Sequence, residues 1–167
     1  ARPFAFTFAG DDGSFVGDDA NDRHLLYIPT MNDPRVVYGP NFDQAAFNSY
    51  IERYGLGRGQ IDGRNSHEGT WQNKFDLRFE QELPGILANH RTKAFVVIEN
   101  IGNLLNDEWG TIRQAGFPQT VPIVDAEFNA VTNQYEYEEF FDREAETLVN
   151  NQFQSVWSVR AGVRYEF

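Results

Sequence analysis

The sequence predicts an all-β fold, and within that class a segment of a transmembrane antiparallel β-barrel. Two observations favour this class: a long final strand with one apolar and one polar face, and a short connection placed between two long acidic segments. A third observation is compatible with a barrel: the sequence contains no run of about 18 apolar residues that would form a transmembrane helix. Barrel strands alternate between apolar and polar residues, so they give only a weak hydropathy signal.

The final predicted strand, residues 152–167, has one apolar and one polar face. Alternate side chains of a β-strand point to opposite faces, and one face of this segment is almost entirely apolar. The segment is longer than the roughly 5–6 residues of a typical soluble strand. Aromatic residues near both of its ends match the two aromatic girdles of an outer-membrane barrel. The alternative is a long amphipathic strand in a soluble sandwich. The apolar face holds Phe153, Trp157, Val159, Val163, Tyr165 and Phe167.

A second strand is predicted at residues 71–83, where large apolar residues from Trp71 to Leu83 alternate with polar and charged residues. Such a charged face suits a water-filled lumen, in which opposite charges can pair. A third strand, at 91–105, has ambiguous faces, and neither is assigned to lipid. The predicted lumen-facing side chains could contact a plug or a substrate, or form salt bridges along the wall. They are Lys74, Asp76, Arg78, Glu80, Arg160 and Arg164.

The remaining segments are predicted to be one more strand and two long loops. Residues 1–9 resemble the second half of a strand, with Phe4, Phe6 and Phe8 on one face. The loops are predicted at 10–70 and 106–151. Within the first, apolar residues at helical spacing followed by Gly55 predict a helix at about 43–54. Within the second, a hairpin is predicted with strands near 121–128 and 134–139.

The order of these segments fits a barrel that alternates short periplasmic turns with long extracellular loops. If Phe167 ends in the periplasm, the 84–90 turn is periplasmic and both long loops are extracellular. Four strands cannot close a barrel, because single-chain bacterial barrels have eight or more. Further strands must therefore come from the same polypeptide, from a cleaved partner fragment or from an oligomer.

The acidic charge of the chain lies in the two predicted loops. The net charge is −11; residues 10–70 hold ten acidic and five basic residues, and residues 106–151 hold ten acidic and two basic residues. Such a charge argues against nucleic acid as a partner. The sequence contains no cysteine, which removes CxxC zinc and redox sites.

Candidate ligand sites are few, and no cofactor is expected apart from a calcium ion. A Gly-rich loop near the start is crowded with aspartates, whose hard oxygen ligands could hold calcium. Their spacing does not match an EF-hand loop, and the alternative is a solvated acidic loop. Ser14, Ser66 and the His67–Glu68 pair form no catalytic set, so no enzyme activity is expected. The candidate calcium ligands are Asp11, Asp12, Asp18, Asp19 and Asp22.

Across nearly its whole length the chain resembles the C-terminal end of a TonB-dependent outer-membrane receptor, in particular the Oar-like group. The resemblance rests on the order and spacing of several stretches. These are RPFAFTFAGDD, NDRHLLYIP, AAFNSYIERYG, GRNSHEGTWQNKFDLRFEQELPG, FVVIENIGNLLNDEWG and SVWSVRAGVRYEF.

The resemblance implies an integral protein of a Gram-negative outer membrane, with these as the last four strands of a 22-stranded barrel. It implies energised import of a scarce nutrient, with peptides or proteins as cargo in the Oar-like group. The implied partners are the rest of the barrel and its plug domain, TonB through a segment outside this sequence, the bilayer and lipopolysaccharide. The final aromatic strand resembles the signal that the barrel-assembly machinery recognises. The alternatives are a passive porin-like barrel, a soluble extracellular β-rich binding module, and an enzyme on a barrel scaffold.

Overall fold

The computed structural model describes residues 2–9, 24–85, 87, 90–149 and 155–167. Within these residues the chain is mostly β, and it divides into two compact units. We call Ala1–Thr70 with Gln114–Thr147 the aromatic unit, and Trp71–Arg113 with Leu148–Phe167 the strand unit. The described strands form separate open sheets, and none of these sheets closes on itself.

The aromatic unit is built on a five-stranded mixed sheet. In chain order its strands are β1 (Pro3–Ala9), β3 (Val36–Tyr38), β5 (His67–Glu68), β9 (Thr120–Asn129) and β10 (Gln134–Phe140). Their order across the sheet is β3-β10-β9-β1-β5, with β1 parallel to β9 and β9 antiparallel to β10. A separate antiparallel pair joins β2 (Tyr27–Ile28) to β4 (Gln60–Ile61). Strands β8 (Arg113–Gln114) and β11 (Thr147–Leu148) also pair with each other.

The predicted helix and hairpin of the aromatic unit are confirmed. Helix α1 spans Gln44–Tyr54. It begins at Asp43, whose side chain accepts a hydrogen bond from the Ala46 N–H, and it ends at Gly55 in the left-handed conformation. Strands β9 and β10 form the hairpin predicted in the second long segment.

The core of the aromatic unit consists largely of aromatic side chains. The Phe6 ring meets the Tyr50 ring edge to face, with centroids 5.6 Å apart. Phe6, Tyr50 and Tyr137 are fully buried, and the Tyr137 hydroxyl donates to the backbone carbonyl of Tyr27. Residues 10–70 and 106–151 were predicted as long loops that contain one helix and one hairpin, and their described parts that belong to this unit also form a mixed sheet and a buried core. Strands of two or three residues are too short to show a periodicity in the sequence.

Residues 1–9 were predicted to be one of four strands in a single barrel wall, and this prediction is wrong. Strand β1 does not lie in the same sheet as the other three predicted strands. It pairs with β5 and β9, and both of its faces are buried from Phe4 to Phe8. The physical reason lies in the residues between the phenylalanines. Ala5 and Thr7 are small rather than charged, so the alternation is between large and small side chains and does not require a solvated face.

The strand unit is a three-stranded antiparallel sheet in the order β12-β7-β6. Its strands are β6 (Leu77–Pro84), β7 (Arg91–Glu99) and β12 (Ser158–Glu166). The strands predicted at 71–83, 91–105 and 152–167 are thus found with shorter bounds, and 152–154 lie outside the described residues. Strand β7 ends where Asn100 takes a left-handed conformation, and a short helix, α2 (Ile101–Leu105), follows.

Candidate functional site

The strand unit has one continuous apolar face, because the register aligns the apolar positions of all three strands. Phe79 pairs with Val96, and Val96 pairs with Ala161 on the other side. This assigns the face of β7 that the sequence left ambiguous. The face is open, with Phe79 63% and Val163 70% exposed. Its rows across the sheet are Leu77–Ile98–Val159, Phe79–Val96–Ala161, Gln81–Ala94–Val163 and Leu83–Thr92–Tyr165.

The opposite face of the same sheet is charged. Arginines from β6 and β12 flank Val97 in one row, and Lys93 lies between Glu82 and Arg164 in another. This face holds four of the six predicted lumen-facing side chains: Arg78, Glu80, Arg160 and Arg164. Its rows are Arg78–Val97–Arg160, Glu80–Phe95–Gly162, Glu82–Lys93–Arg164 and Pro84–Arg91–Glu166.

The charged face carries a network of ion pairs. Arg78 and Glu80 lie 2.6 Å apart, Arg160 pairs with Glu99, and Arg164 lies 3.5 Å from Glu166. Glu166 also lies 3.5 Å from Lys93, and Arg91 lies 3.6 Å from Glu82. These contacts agree with the salt-bridge alternative for the predicted lumen residues. These side chains are between 30% and 74% exposed, so in water such pairs contribute little to stability.

The other two predicted lumen residues precede β6 instead of lying on it. Asp76 accepts a hydrogen bond from the Asn100 N–H at 2.8 Å, so it fixes the turn after β7. Lys74 is exposed in the segment that precedes β6. The strict alternation from 71 to 83 misled the prediction, since the backbone is paired as a strand only from Leu77 onward.

Phe95 and Gly162 form a contact on the charged face that the sequence reasoning missed. They are register partners, and a Cβ atom on Gly162 would lie 2.6 Å from Cζ of Phe95. The absent side chain therefore leaves the space that the Phe95 ring occupies. A glycine inside a strand often marks such a close approach, and this was the available signal.

The residues predicted as a barrel-assembly signal are exposed along or beside β12, apart from Phe153, which lies outside the described residues. Trp157, Val159 and Val163 follow one another on the apolar side, and Phe167 is 98% exposed. Tyr165 differs from the others because its hydroxyl lies 2.6 Å from Nδ1 of His90.

In the aromatic unit, Asp62 and its hydrogen-bond partners stabilise the fold. Asp62 is buried, and both the Ser66 hydroxyl and Nε2 of His67 lie 2.9 Å from its Oδ1. Ser66 and His67 both bond to this one carboxylate oxygen and not to each other. In a nucleophile–base relay, by contrast, the serine hydroxyl bonds to the histidine. Burial acts to raise the pKa of Asp62, but the hydrogen bonds from His67 and the Phe6 N–H outweigh it and lower that pKa.

Asp33 is a buried carboxylate of the aromatic unit that accepts several hydrogen bonds. Its oxygens accept from the side chain of Arg35, from the Tyr27 hydroxyl at 2.6 Å and from the Thr30 and Arg35 N–H groups. The hydrogen bonds from Arg35 hold the pKa of Asp33 well below its usual range. Burial, with the bond to Asp33, raises the pKa of Tyr27 to about 12.

The aspartates predicted as calcium ligands all lie outside the described residues. Among the residues that the structure describes, no group of three metal-ligating side chains comes together. Several carboxylates of the second acidic segment instead bond to neighbours in the aromatic unit: Glu136 accepts from Asn129, Asp142 pairs with Arg53, and Glu146 accepts from Thr70.

In the part of the chain that the structure describes, no helix is both long enough and apolar enough to cross a bilayer. Comparison with protein-family models, with curated proteins and with solved structures gives no match for the chain. The two faces of the strand unit are therefore the features that bear most directly on function.

Proposed function

We propose that the chain is part of a TonB-dependent transporter of the Gram-negative outer membrane, which imports a nutrient across that membrane. One observation carries the proposal: the strand unit presents an exposed apolar face and, opposite it, a face of paired charges. This is the arrangement of a barrel wall that separates lipid from an aqueous lumen.

The apolar face needs a non-aqueous environment. It combines exposed side chains from β6, β7 and β12, including Leu77, Phe79, Val159 and Val163. Large contiguous apolar patches mark contact with a membrane or another protein. The outer edges of this sheet are β6 and β12. In lipid, each unpaired backbone N–H or C=O group on these edges would cost several kcal/mol, so further strands must continue the sheet on either side.

The charged face is proposed to line the lumen. There it meets the plug domain and the passing cargo, for which the resemblance suggests a peptide. Arg78, Arg160 and Arg164 are each more than 60% exposed, so their guanidinium groups remain accessible from the aqueous side. The apolar residues of β12 are proposed to be read by the barrel-assembly machinery before they face lipid.

The aromatic unit favours a second candidate, an extracellular β-rich binding module. Its core is closed and aromatic, as in a domain that folds in water, and its short strands resemble those of a soluble protein. Under the main proposal this unit is an extracellular structure carried by the barrel. Under the second candidate the whole chain is extractable from cells without detergent.

The test measures uptake in cells that produce the full polypeptide. The probe is a fluorescein-labelled oligopeptide mixture too large for general porins. We expect uptake that requires both this polypeptide and TonB, and that stops when a protonophore collapses the proton gradient. Uptake that persists without TonB would indicate a passive porin, and recovery of the polypeptide in the soluble fraction would favour the binding module.

A further inference from the structure

The charged face of the strand unit contains a groove of about 650 Å³. A volume of this size lies within the range of small-ligand pockets. Four cations and one carboxylate line the groove, although the whole chain has a net charge of −11. The Phe95 ring lies among these charges. The charged residues of the lining are Arg78, Glu80, Lys93, Arg160 and Arg164.

The carboxylates that pair with three of these cations lie beyond the two ends of the groove. Arg160 pairs with Glu99, which lies one row nearer the start of β12. Arg164 and Lys93 each lie 3.5 Å from Glu166, which lies one row nearer the end of β12. Neither carboxylate is among the described residues that line the groove. The interior of the groove therefore has an excess of positive charge.

The arginines of the groove have donors left for a further anion. Each ion pair described above engages one nitrogen of its guanidinium group, namely Nη2 of Arg78, Nη2 of Arg160 and Nε of Arg164. A guanidinium group has five N–H donors, and its planar fork matches the geometry of a carboxylate. A ligand carboxylate can therefore bind these side chains without breaking the existing ion pairs.

The lining changes from row to row along the strands. One end row contains Arg78 and Arg160, the middle row contains Phe95, and the other end row contains Lys93 and Arg164. Neighbouring rows on one face are two residues, or about 7 Å, apart. Side chains on one face of an extended peptide recur at the same spacing. A peptide lying along the strands can thus place an acidic side chain at each end row and an apolar side chain on the ring between them.

We propose that this groove binds an extended acidic peptide with the order acidic–x–apolar–x–acidic, as cargo of the transporter. The two acidic side chains bind the cations of the end rows through charge-assisted hydrogen bonds. The apolar side chain between them packs on Phe95, and an aromatic one binds most tightly because two rings attract each other beyond the area they bury. The proposal rests on the proposed function, because the cargo must reach the groove from the lumen.

The test is titration calorimetry of the full polypeptide in detergent with four peptides that are acetylated and amidated. The probe is Gly-Glu-Thr-Phe-Thr-Glu-Gly. In the second peptide glutamine replaces both glutamates, in the third alanine replaces phenylalanine, and the fourth is the reordered Gly-Glu-Glu-Phe-Thr-Thr-Gly. We expect the probe to bind most tightly and the glutamine peptide to bind at least about tenfold more weakly, because charged hydrogen bonds are lost. The other two should bind with intermediate affinity.

Variants of the two end rows test the cations. Arg160→Gln and Arg164→Gln should each weaken binding of the probe about tenfold, since each removes a charged donor. Arg91→Gln is the matched control. Arg91 lies on the same face and pairs with Glu82, but it is not among the described residues that line the groove. It should leave binding almost unchanged, and an effect as large as that of Arg160→Gln would overturn the site.

Phe95→Leu tests the middle row through specificity. The variant keeps an apolar side chain but removes the ring, so the advantage of the phenylalanine peptide over the alanine peptide should shrink. A purely structural role of Phe95 would weaken both peptides alike, and that result would contradict the ring contact.

The remaining outcomes separate this inference from the proposed function. Absence of probe binding, or equal affinity for the glutamate and glutamine peptides, would overturn the inference. Equal affinity for the probe and the reordered peptide would also overturn it, because attraction by charge alone would explain the binding. If TonB-dependent uptake of the oligopeptide mixture occurs and excess unlabelled probe does not compete, only this inference fails. If uptake does not depend on TonB, the proposed function fails whether or not the groove binds peptide.

Discussion

At the scale of single residues, Gly162 shows how an absent side chain shapes the charged face. The Phe95 ring lies over Gly162 and stands between the rows of Arg160 and Arg164. This aromatic side chain lies on the face whose other members are mostly ionic. Its position depends on space that only glycine provides.

Gly162→Ala is therefore expected to destabilise the strand unit by about 1–3 kcal/mol, since the added methyl group forces the Phe95 ring to move. Gly116→Ala is the control, because no heavy atom beyond its chain neighbours lies within 4 Å of a Cβ at that position. Thermal unfolding of the full polypeptide in detergent measures both. If the Phe95 contact is the cause, Gly162→Ala costs less in a Phe95→Ala background; equal costs in the two backgrounds would exclude it.

Asp33 gives a pH-dependent prediction in the aromatic unit. Its pKa is lowered on folding, so its contribution to stability is complete above the unfolded value of about 3.8 and is lost as the pH falls from there. Asp33→Asn should lower the free energy of opening this region by about 2–3 kcal/mol at pH 7, because charged hydrogen bonds are removed. The difference from the parent should shrink below about pH 4.

Hydrogen exchange followed by mass spectrometry over 27–38 measures this difference. Asp142→Asn is the control, because its ion pair with Arg53 is half exposed on both sides and is therefore expected to contribute little to stability. A destabilisation by Asp33→Asn that is the same at pH 3 and pH 7 would contradict the electrostatic account.

At the scale of elements, helix α1 was the easiest part of the aromatic unit to predict. Its signals are local: apolar residues at helical spacing and a glycine just after the last turn. The N-cap, Asp43, gives a prediction of its own. Asp43→Ala should destabilise the helix by about 1 kcal/mol, while Asp43→Ser should retain most of the cap. Hydrogen exchange in 44–54 measures both, and equal losses in the two variants would contradict a capping role.

Strand β7 allows the two faces of the sheet to be compared at neighbouring valines. Val96→Arg places a charge on the apolar face, and Val97→Arg places it on the charged face. If the apolar face contacts lipid, the first change should cost about 2–4 kcal/mol at mid-depth. The second should cost clearly less, and it is the matched control.

The measurement for this pair is denaturant unfolding of the full polypeptide in phospholipid vesicles. Equal costs for Val96→Arg and Val97→Arg, or a larger cost for Val97→Arg, would contradict the assignment of the faces.

The strands were predictable to different degrees, for reasons that their residues show. Strands β6 and β12 alternate apolar with charged residues, so their faces could be read directly. Strand β7 has apolar residues on both sides, and only its pairing with β6 and β12 decides the face of Val96. Strand β1 was placed in the wrong sheet, because its partners β5 and β9 are distant in sequence and leave no local signal.

At the scale of the whole molecule, the sequence anticipated three strands of one sheet but not the folded aromatic unit. That unit depends on pairings across more than a hundred residues, such as Phe6 with Val121. Its strands of two or three residues have no periodicity of their own. The hydrogen bond from the Trp157 N–H to Oδ1 of Asn103 was equally hidden, because it joins residues about fifty positions apart in the sequence.

The central claim is that the strand unit separates lipid from an aqueous lumen, and cysteine labelling in native outer membranes tests it most directly. Single cysteines replace Val159, Ala161 and Val163 on one face of β12 and Arg160 and Arg164 on the other, and each is exposed to a charged, water-soluble maleimide. The account predicts alternation, with Arg160→Cys and Arg164→Cys labelled and the other three protected until detergent is added. Uniform labelling along β12, or protection of the arginine positions with labelling of the valine positions, would contradict it.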